Sequence, residues 1–360
     1  MDIQQRLDLI TRNTSEIVTV NDLKKLLKNK SSIKGYIGVE PSGLFHVGWM
    51  IWASKLKELM DAGVEMTFLQ ATWHAWINDK LGGDLEGIRR CGEYIIHCLK
   101  ALGIDITKLN VVRADEVVED SDYWATVLKV AKNSSLLRVK RAMTILGRKT
   151  SEGATDFSKL IYPCMQVADI FYFDLDLCLG GTDQRKAHML ARDVADRLGK
   201  PRPVAIHTPL LTSLTGAGRM ELAKSEAELI EIKMSKSKPE TALFIHDSEE
   251  EIVKKIGAAY CPPKIVEGNP MIDISRYLLF SDPTFSLTIE RPEKYGGTIT
   301  IESIDRLIQL YSDGKLHPLD LKNSTAKVLN QRLNPVRKYF AENREAKMLY
   351  NALNKKTITR

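Results

Sequence analysis

Short apolar runs alternate with segments of helical periodicity over the first two hundred residues, and this alternation limits the possible folds more than any other feature of the chain. The apolar runs predict strands, and the periodic segments between them predict helices. The predicted strands are 36–39, 66–71, 109–113, 175–179 and 203–207, and the main predicted helices are 46–62, 85–102, 121–133, 135–147 and 183–198. Because strands that alternate with helices pair in parallel through right-handed crossovers, we expect an α/β fold with a parallel five-stranded sheet. A further helical pattern contains Tyr162 and Pro163, and the proline should end or kink that helix.

The pattern changes after Leu214 to a polar stretch, and helical segments follow it to the C-terminus. Asp247 or Ser248 forms a capping box with Glu251 at the start of one of these helices. The segment 291–297 has the composition of a hairpin turn. We therefore expect a Rossmann-like domain at 1–214 with a helical insert at about 116–160, a loop linker at 215–240, and a mainly α-helical domain at 241–360.

The charge of the chain is concentrated in two basic segments. The 360 residues carry a formal net charge of +6 and are 44% apolar, which excludes a disordered chain and allows large buried cores. Seven basic and no acidic residues lie between Lys129 and Lys149, and ten basic residues face two acidic ones between Lys322 and Arg360. Each segment alone is as consistent with a solvated helix face as with a nucleic-acid contact.

Cysteine usage and the N-terminus indicate the compartment. The five cysteines form no CxxC pair and are odd in number, which argues against a disulfide framework and a zinc ribbon, and we expect no bound metal site. The N-terminus resembles no signal peptide, and no apolar stretch is long enough to span a membrane. We therefore expect a cytoplasmic protein without a membrane segment.

Two motifs carry the chemistry. The first, Glu40 to Trp49 (EPSGLFHVGW), places His46 at a predicted helix start beside small residues, where amide groups and the helix dipole suit a phosphate. The second, Lys233 to Ser237 (KMSKS), puts two lysines on a polar loop that can close over a polyphosphate. Either motif alone is more often structural. Together, and in this order, they resemble the two signatures of class I aminoacyl-tRNA synthetases.

Three further stretches are similar to the tyrosyl-tRNA synthetases of archaeal and eukaryotic type. They are Tyr36 to Gly43 (YIGVEPSG), Tyr162 to Asp169 (YPCMQVAD) and Gly180 to Lys186 (GGTDQRK). The resemblance continues through residues 266–270, 291–297 and 317–322, so it spans nearly the whole chain. It implies a tyrosine–tRNA ligase that first joins L-tyrosine to ATP as tyrosyl-adenylate, releasing pyrophosphate, and then transfers tyrosine to the terminal ribose of tRNA(Tyr).

The resemblance also implies the roles of individual residues. Tyr36 and Asp169 would hold the tyrosine hydroxyl, and Tyr162, Gln166 and Gln184 would hold its head group. Positions 162, 166 and 169 can project from one helix face. The catalytic residues would be His46, Lys233 and Lys236, and the ATP-binding residues would be Gly38, His46, Gly48, Asp183, Lys233, Ser235, Lys236 and Ser237. ATP would come with Mg²⁺, and no tightly bound prosthetic group is implied.

The implied partners are tRNA(Tyr), tyrosine and ATP, in a homodimer formed through the insert. Arg141, Arg185 and Lys186 match positions that contact the acceptor stem, and arginine's donor fork suits such contacts. Tyr295, His317 and Asp320 match positions that hold the first anticodon base by stacking and hydrogen bonding.

The chain departs from the family pattern at three places. Trp49 stands where a second histidine is common, residues 219–232 look like an extra charged helix, and a basic tail follows Phe340. A tryptophanyl-tRNA synthetase shares both signatures, but Tyr36 and Asp169 suit a phenol better than an indole. A non-catalytic RNA-binding paralogue would not need the lysines of the loop, and a small-molecule adenylate-forming ligase would not need the second domain.

Overall fold

The structure, a computed structural model, describes residues 1–146, 156–216, 233–236 and 239–355. Contacts divide the chain into two compact units. The first comprises Met1–Gly43, Trp52–Pro209 and Met348–Arg360, and the second comprises Leu44–Ile51 and Leu210–Lys347. This division differs from the predicted domains, because the segment that contains His46 belongs to the second unit.

Six strands form the sheet of the first unit, in the order β1-β6-β5-β2-β3-β4. They are β1 (Glu16–Val18), β2 (Ile33–Val39), β3 (Val64–Gln70), β4 (Asn110–Arg113), β5 (Leu177–Gly181) and β6 (Val204–Thr208). Strands β2 to β6 pair in parallel, which confirms the five predicted strands and the α/β fold. The sixth strand, β1, pairs antiparallel with β6 over three residues. It was not predicted because so short a segment shows no periodicity.

Helices connect these strands. They are α1 (Ile3–Thr11), α2 (Val20–Asn29), α3 (Trp49–Asp61), α4 (Thr72–Ile77), α5 (Leu85–Ala101), α6 (Ala114–Val118), α7 (Ser121–Lys132), α8 (Leu136–Ala142), α9 (Ser158–Tyr172) and α10 (Arg185–Ala195). Of the two outcomes expected at Pro163, an end or a kink, the structure excludes the end, since α9 continues to Tyr172. A proline inside a helix removes one backbone donor, and the remaining turns of α9 keep theirs.

The core of the first unit lies where the helical insert packs beside the sheet. Val130 of α7 and Val167 of α9 are fully buried there, together with Leu69 of β3. Burial of each such aliphatic side chain stabilises the fold by roughly 1.5–3 kcal/mol. This packing fixes α9 against both the sheet and the insert, and α9 carries three of the predicted tyrosine-binding residues.

The second unit is mainly helical. Its elements are α11 (Glu249–Ala258), α12 (Pro270–Ile274), the hairpin of β7 (Leu287–Ile289) and β8 (Ile299–Ile301), α13 (Ile304–Ser312) and α14 (Pro318–Glu342), and α15 (Arg344–Asn354) follows. The predicted capping box is present between Ser248 and Glu251, and the predicted hairpin turn joins β7 to β8. The predicted charged helix at 219–232 lies outside the described residues. Within the described part of the chain, no helix is long and apolar enough to cross a membrane.

Candidate active site

One face of α9 carries the three residues predicted to bind the amino acid. Tyr162, Gln166 and Asp169 are one and two turns apart, and each contacts a different neighbouring element. Asp169 is 2% exposed, so its carboxyl group lies in the interior of the first unit. Burying a polar group costs free energy unless it has hydrogen-bond partners, so the surroundings of Asp169 define what this site can bind.

Asp169 lies between two side chains that the sequence did not single out. The Tyr123 hydroxyl of α7 donates to Asp169 Oδ1 at 2.9 Å. On the other side, His74 Nε2 of α4 lies 3.3 Å from Asp169 Oδ2. Neither ring nitrogen of His74 has a hydrogen-bond partner in the described structure. One carboxyl oxygen is therefore committed to the protein, and the other faces an imidazole that still has bonding capacity.

Tyr36, in the middle of β2, is 1% exposed. Burial raises the pKa of its hydroxyl well above the ordinary value, and the neighbouring Asp169 raises that pKa further. The phenol therefore stays protonated at neutral pH. Its oxygen lies 3.5 Å from the Gln166 carbonyl, at the limit for a hydrogen bond. A ligand hydroxyl is a better partner than this carbonyl.

A second group of side chains lies near the other end of this α9 face. Gln166 Nε2 donates to Gln184 Oε1 at 3.2 Å, while Gln166 Oε1 is buried without a partner in the described structure. The Tyr162 hydroxyl donates to Glu40 Oε1 at 2.7 Å. A hydroxyl that donates to a carboxylate keeps its lone pairs for an incoming donor such as an ammonium group. A Cβ at Gly180 would lie 3.0 Å from Gln184 Cβ, so this glycine leaves room for Gln184.

The structure corrects the prediction that His46 begins a helix. His46 forms an isolated antiparallel bridge with Phe244, and α3 begins three residues later at Trp49. Backbone hydrogen bonds flank this bridge, from Val47 N to the Leu243 carbonyl at 2.8 Å and from Ile245 N to the Phe45 carbonyl at 3.1 Å. The backbone of His46 is therefore part of a small sheet-like contact, and its carbonyl accepts from Trp49 N at 2.9 Å, where α3 begins.

The imidazole of His46 is buried and uncharged. Burial lowers its pKa well below the ordinary value, and the charges of Lys236 and Lys233 lower that pKa further. Nδ1 of His46 has no hydrogen-bond partner in the described part of the chain. Gly48 makes this arrangement possible, because a Cβ there would lie 2.9 Å from Nδ1. A neutral imidazole offers one N–H donor and one acceptor nitrogen.

The described part of the second motif pairs with the chain just after β6. Lys233 bridges Thr212, and Met234 N donates to the Leu211 carbonyl at 2.7 Å. Lys236 is 6% exposed, and its Nζ lies 3.3 Å from the centre of the Trp49 ring. The lysines of the second motif therefore accompany His46 within the second unit.

The other predicted ATP-binding residues are at different places. Gly38 lies near the end of β2, and Asp183 lies in the turn between β5 and α10. Ser235 lies in the described segment 233–236 and is half-buried, whereas Ser237 lies outside the described residues.

The predicted acceptor-stem residues lie on α8 and at the start of α10. Arg141 is exposed, and Lys186 is half-buried. Arg185 donates to both carboxylate oxygens of Glu16, at 2.7 and 2.9 Å. This pairing lowers the pKa of Glu16 although burial opposes the shift. An RNA phosphate would have to compete with Glu16 for Arg185.

The predicted anticodon residues lie at neighbouring loops of the second unit. Tyr295 follows β7 and is 63% exposed, and His317 precedes α14, whose first turn contains Asp320. Arg291 joins the two loops, because it donates to the Gly297 carbonyl and to the Lys315 carbonyl, both at 3.0 Å. An exposed aromatic ring close to polar groups is suited to an unpaired base.

Three residues of the first unit belong to the site although the prediction did not include them. Glu40 lies in a quoted motif, so its place was open to prediction. His74 follows β3, and side chains at the carboxyl ends of parallel strands converge on a common edge. Tyr123 lies in the insert, far in sequence from the motifs that end at Trp49 and begin at Tyr162, and no local pattern points to it.

A family model described as tRNA synthetases class I (W and Y) matches residues 28–334. This chain belongs to that family. The synthetase is 54% identical to a tyrosine–tRNA ligase of Sulfurisphaera tokodaii, over 99% of this chain and 98% of the relative. It is 53% identical to a tyrosine–tRNA ligase of Saccharolobus islandicus over the full length of both.

Solved structures agree with these relatives. The synthetase matches a tyrosyl-tRNA synthetase from Aeropyrum pernix with a TM-score of 0.87 and 47% identity, over 98% of this chain and 99% of that one. It matches a tyrosyl-tRNA synthetase from Pyrococcus horikoshii, complexed with L-tyrosine, with a TM-score of 0.91 and 40% identity, over 98% and 100%. These findings confirm the resemblance to tyrosyl-tRNA synthetases that the motifs indicated.

Proposed function

We propose that this synthetase is a tyrosine–tRNA ligase that activates L-tyrosine with ATP and transfers it to tRNA(Tyr). The observation that carries the proposal is the buried carboxyl group of Asp169 beside the protonated phenol of Tyr36. Together they offer an acceptor and a donor to one ligand hydroxyl, which is what a phenol requires. The tryptophan side chain has only an N–H donor, so it would leave the Tyr36 hydroxyl without an acceptor.

The partners of Asp169 support selection of tyrosine over phenylalanine. The Tyr123 hydroxyl fixes Oδ1, and Oδ2 lies beside His74, so the carboxyl group cannot turn away when no ligand hydroxyl is present. Phenylalanine would bury these polar groups without a partner, at a cost of roughly 1–3 kcal/mol for each unsatisfied group. Tyr123 and His74 would thus act on specificity through Asp169.

The head group of tyrosine would bind near Tyr162, Gln166 and Gln184. Glu40 accepts the hydrogen bond that the Tyr162 hydroxyl donates. The lone pairs of that hydroxyl are then available to a donor such as the substrate ammonium. The unpartnered Gln166 Oε1 is a second acceptor for that ammonium. Because these groups bind the ammonium, the substrate carboxylate remains able to attack the α-phosphate of ATP.

Catalysis of adenylate formation would rest on positioning and electrostatics. The tyrosine carboxylate is the nucleophile, so no residue of the protein has to form a covalent intermediate. Neutral His46 would donate an N–H to a phosphate oxygen, and Lys233 and Lys236 would stabilise the pyrophosphate that departs. Gly38, Gly48, Asp183, Ser235 and Ser237 would complete the ATP contacts, with Asp183 accepting from the ribose hydroxyls.

Magnesium would enter as the MgATP substrate. Among the described residues, no group of three histidine, cysteine or acidic side chains is placed to hold a metal ion. The protein groups that face the phosphates would be cations and a neutral imidazole, and neither is a ligand that Mg²⁺ prefers. We therefore assign no catalytic step to a resident metal.

Transfer to tRNA would use Arg141 of the first basic segment together with residues that lie outside both basic segments. Arg141, Arg185 and Lys186 would contact the acceptor stem, with Arg185 exchanging Glu16 for RNA. Tyr295 would stack on the first anticodon base, while His317 and Asp320 would bond its edge. Activation of tyrosine needs none of these six residues, so the two steps can be separated by mutation.

We also propose a cytoplasmic homodimer that uses the insert as its interface. Helices α7 and α8 expose large apolar side chains, which are Trp124, Leu128, Leu136 and Leu137. Several large apolar side chains exposed on successive helices are typical of a protein interface. Leu128 is 69% exposed, so Leu128→Glu should convert the dimer to a monomer in sedimentation equilibrium with little loss of fold. An unchanged mass would contradict the interface.

Amino-acid-dependent exchange of pyrophosphate into ATP tests the activation step. We expect exchange with tyrosine and a much lower rate with tryptophan or phenylalanine. Exchange that prefers tryptophan would favour the tryptophanyl alternative, and no exchange with any amino acid would favour the RNA-binding paralogue.

A further inference from the structure

Trp49 occupies a position for which the family resemblance supplies no role. It stands where a second histidine is common, and it is the first residue of α3. Within the same unit lies Lys236, the second lysine of the KMSKS motif, whose side chain is 6% exposed. A buried ammonium group needs a favourable partner, because burial alone disfavours its charge.

The indole face of Trp49 is such a partner. Lys236 Nζ lies 3.3 Å from the ring centre, well inside the range in which an aromatic face attracts a cation, and tryptophan binds cations better than the other aromatic residues. The buried ring of Phe45 meets the indole edge-on at 5.3 Å and 88°. This packing fixes the orientation in which the indole faces the lysine.

The backbone on both sides of the contact is also fixed. Residues 45–47 pair with 243–245, and Met234 pairs with Leu211. The two side chains in contact therefore follow segments whose backbones are fixed by hydrogen bonds.

The contact between Trp49 and Lys236 lies beside His46. Its ring lies 5.5 Å from the Trp49 ring, and the charges of Lys236 and Lys233 both act on it. Two cations next to a neutral donor form a site of positive potential that suits phosphate oxygens. Such a site is costly to assemble without an anion, because its cations repel each other, and the negative face of the indole offsets part of that repulsion.

We propose that Trp49 is a positioning residue whose indole face holds the Lys236 ammonium beside His46 in the free enzyme, so that this cation is ordered before ATP binds. The inference rests on the proposed function, in which Lys236 stabilises departing pyrophosphate. The lysine then exchanges the indole for a phosphate oxygen, a stronger partner for an ammonium group. Histidine at position 49 lacks the extended face that makes this contact.

The test measures tyrosine-dependent pyrophosphate exchange in Trp49→Leu and Trp49→Phe. We expect kcat to fall about tenfold in Trp49→Leu, equivalent to ~1.4 kcal/mol, and less in Trp49→Phe, which keeps a weaker aromatic face. The KM for tyrosine should not change. Equal rates in all three proteins would overturn the proposal.

A double-mutant cycle separates positioning of Lys236 from a general structural role. In a Lys236→Ala background, Trp49→Leu should cost almost nothing further, whereas in a Lys233→Ala background it should still cost about tenfold. The same loss in both backgrounds would show that Trp49 acts on the fold and not on Lys236.

Site-specific incorporation of fluorinated tryptophan at position 49 tests the proposal even if Trp49→Leu folds poorly. Added fluorine atoms weaken the negative face and leave the ring shape nearly unchanged, so kcat should fall stepwise with their number. A flat series would refute the cation contact. If the wild-type chain shows no tyrosine-dependent exchange, the proposed function fails, and that outcome is distinct from a flat series on an active enzyme.

Discussion

Gly48→Ala tests whether the placement of His46 controls adenylate formation. The added Cβ would lie 2.9 Å from His46 Nδ1, 3.0 Å from its Cε1 and 3.3 Å from Leu211 Cβ. Ordinary contact for a Cβ begins at 3.4 Å, so either the ring must move by about half an ångström or the backbone must yield. His46 is only 7% exposed, which limits where the ring can go.

The expected effect follows from this displacement. Since a catalytic group misplaced by ~1 Å can cost about a hundredfold in rate, we expect kcat for tyrosine-dependent pyrophosphate exchange to fall by between about tenfold and about a hundredfold. The KM for tyrosine should be unchanged, because the atoms nearest to the added Cβ belong to His46 and Leu211, which are not proposed to bind tyrosine. Gly48 does not have a positive φ, so alanine adds no backbone strain there.

Gly257→Ala is the matched control in the same unit. Gly257 lies in α11, and, apart from its chain neighbours and the backbone of its own helix, no atom of the described residues lies within 4 Å of where its Cβ would be. This variant should keep wild-type activity and gain up to about 1 kcal/mol of stability from reduced backbone freedom. If Gly48→Ala retains activity within twofold of wild type, or if its loss matches a loss of folded protein in thermal melts, the reasoning about His46 is wrong.

Three further predictions concern specificity, tRNA recognition and pH. Tyr36→Phe should lower the ratio of kcat/KM for tyrosine over phenylalanine by about tenfold, as expected for one lost hydrogen bond, and exchange assays with both amino acids measure it; an unchanged ratio would exclude Tyr36 from recognition. Asp320→Ala should weaken charging of tRNA(Tyr) and leave pyrophosphate exchange intact, so equal losses would contradict its anticodon role. Stability should fall as pH drops below about 6.5, because burial lowers the folded-state pKa of four histidines and the unfolded chain then binds more protons than the folded one. Melting temperatures between pH 7.5 and 5 that do not change would contradict this for His46, His188, His207 and His246.

The local sequence pattern was sufficient to predict much of the fold. The alternation of apolar runs and helical periodicity predicted β2 to β6. Strands β2, β3, β5 and β6 are mostly buried, whereas β4 is exposed at both ends and half-buried in the middle. The spacing of 162, 166 and 169 likewise predicted one shared face of α9, since helix geometry alone determines it.

Contacts between distant segments could not be predicted in this way. His46 lies in an extended bridge because Phe244 supplies its pairing partner, and helical periodicity in 46–62 carries no information about that partner. Tyr123 reaches Asp169 only because α7 packs against α9, which depends on the core between them. The exchange of a histidine for Trp49 was visible in the sequence, but the cation above its ring was not.

Aminoacylation of tRNA shows directly whether this chain is a tyrosine–tRNA ligase. Purified chain, ATP with Mg²⁺ and total tRNA from an archaeal source would be incubated with each labelled amino acid in turn, and the acid-precipitable label would be counted. We expect label from tyrosine alone, attached to a tRNA with a tyrosine anticodon, and we expect it to be lost in Asp169→Ala. Charging with tryptophan, or undiminished charging by Asp169→Ala, would contradict it.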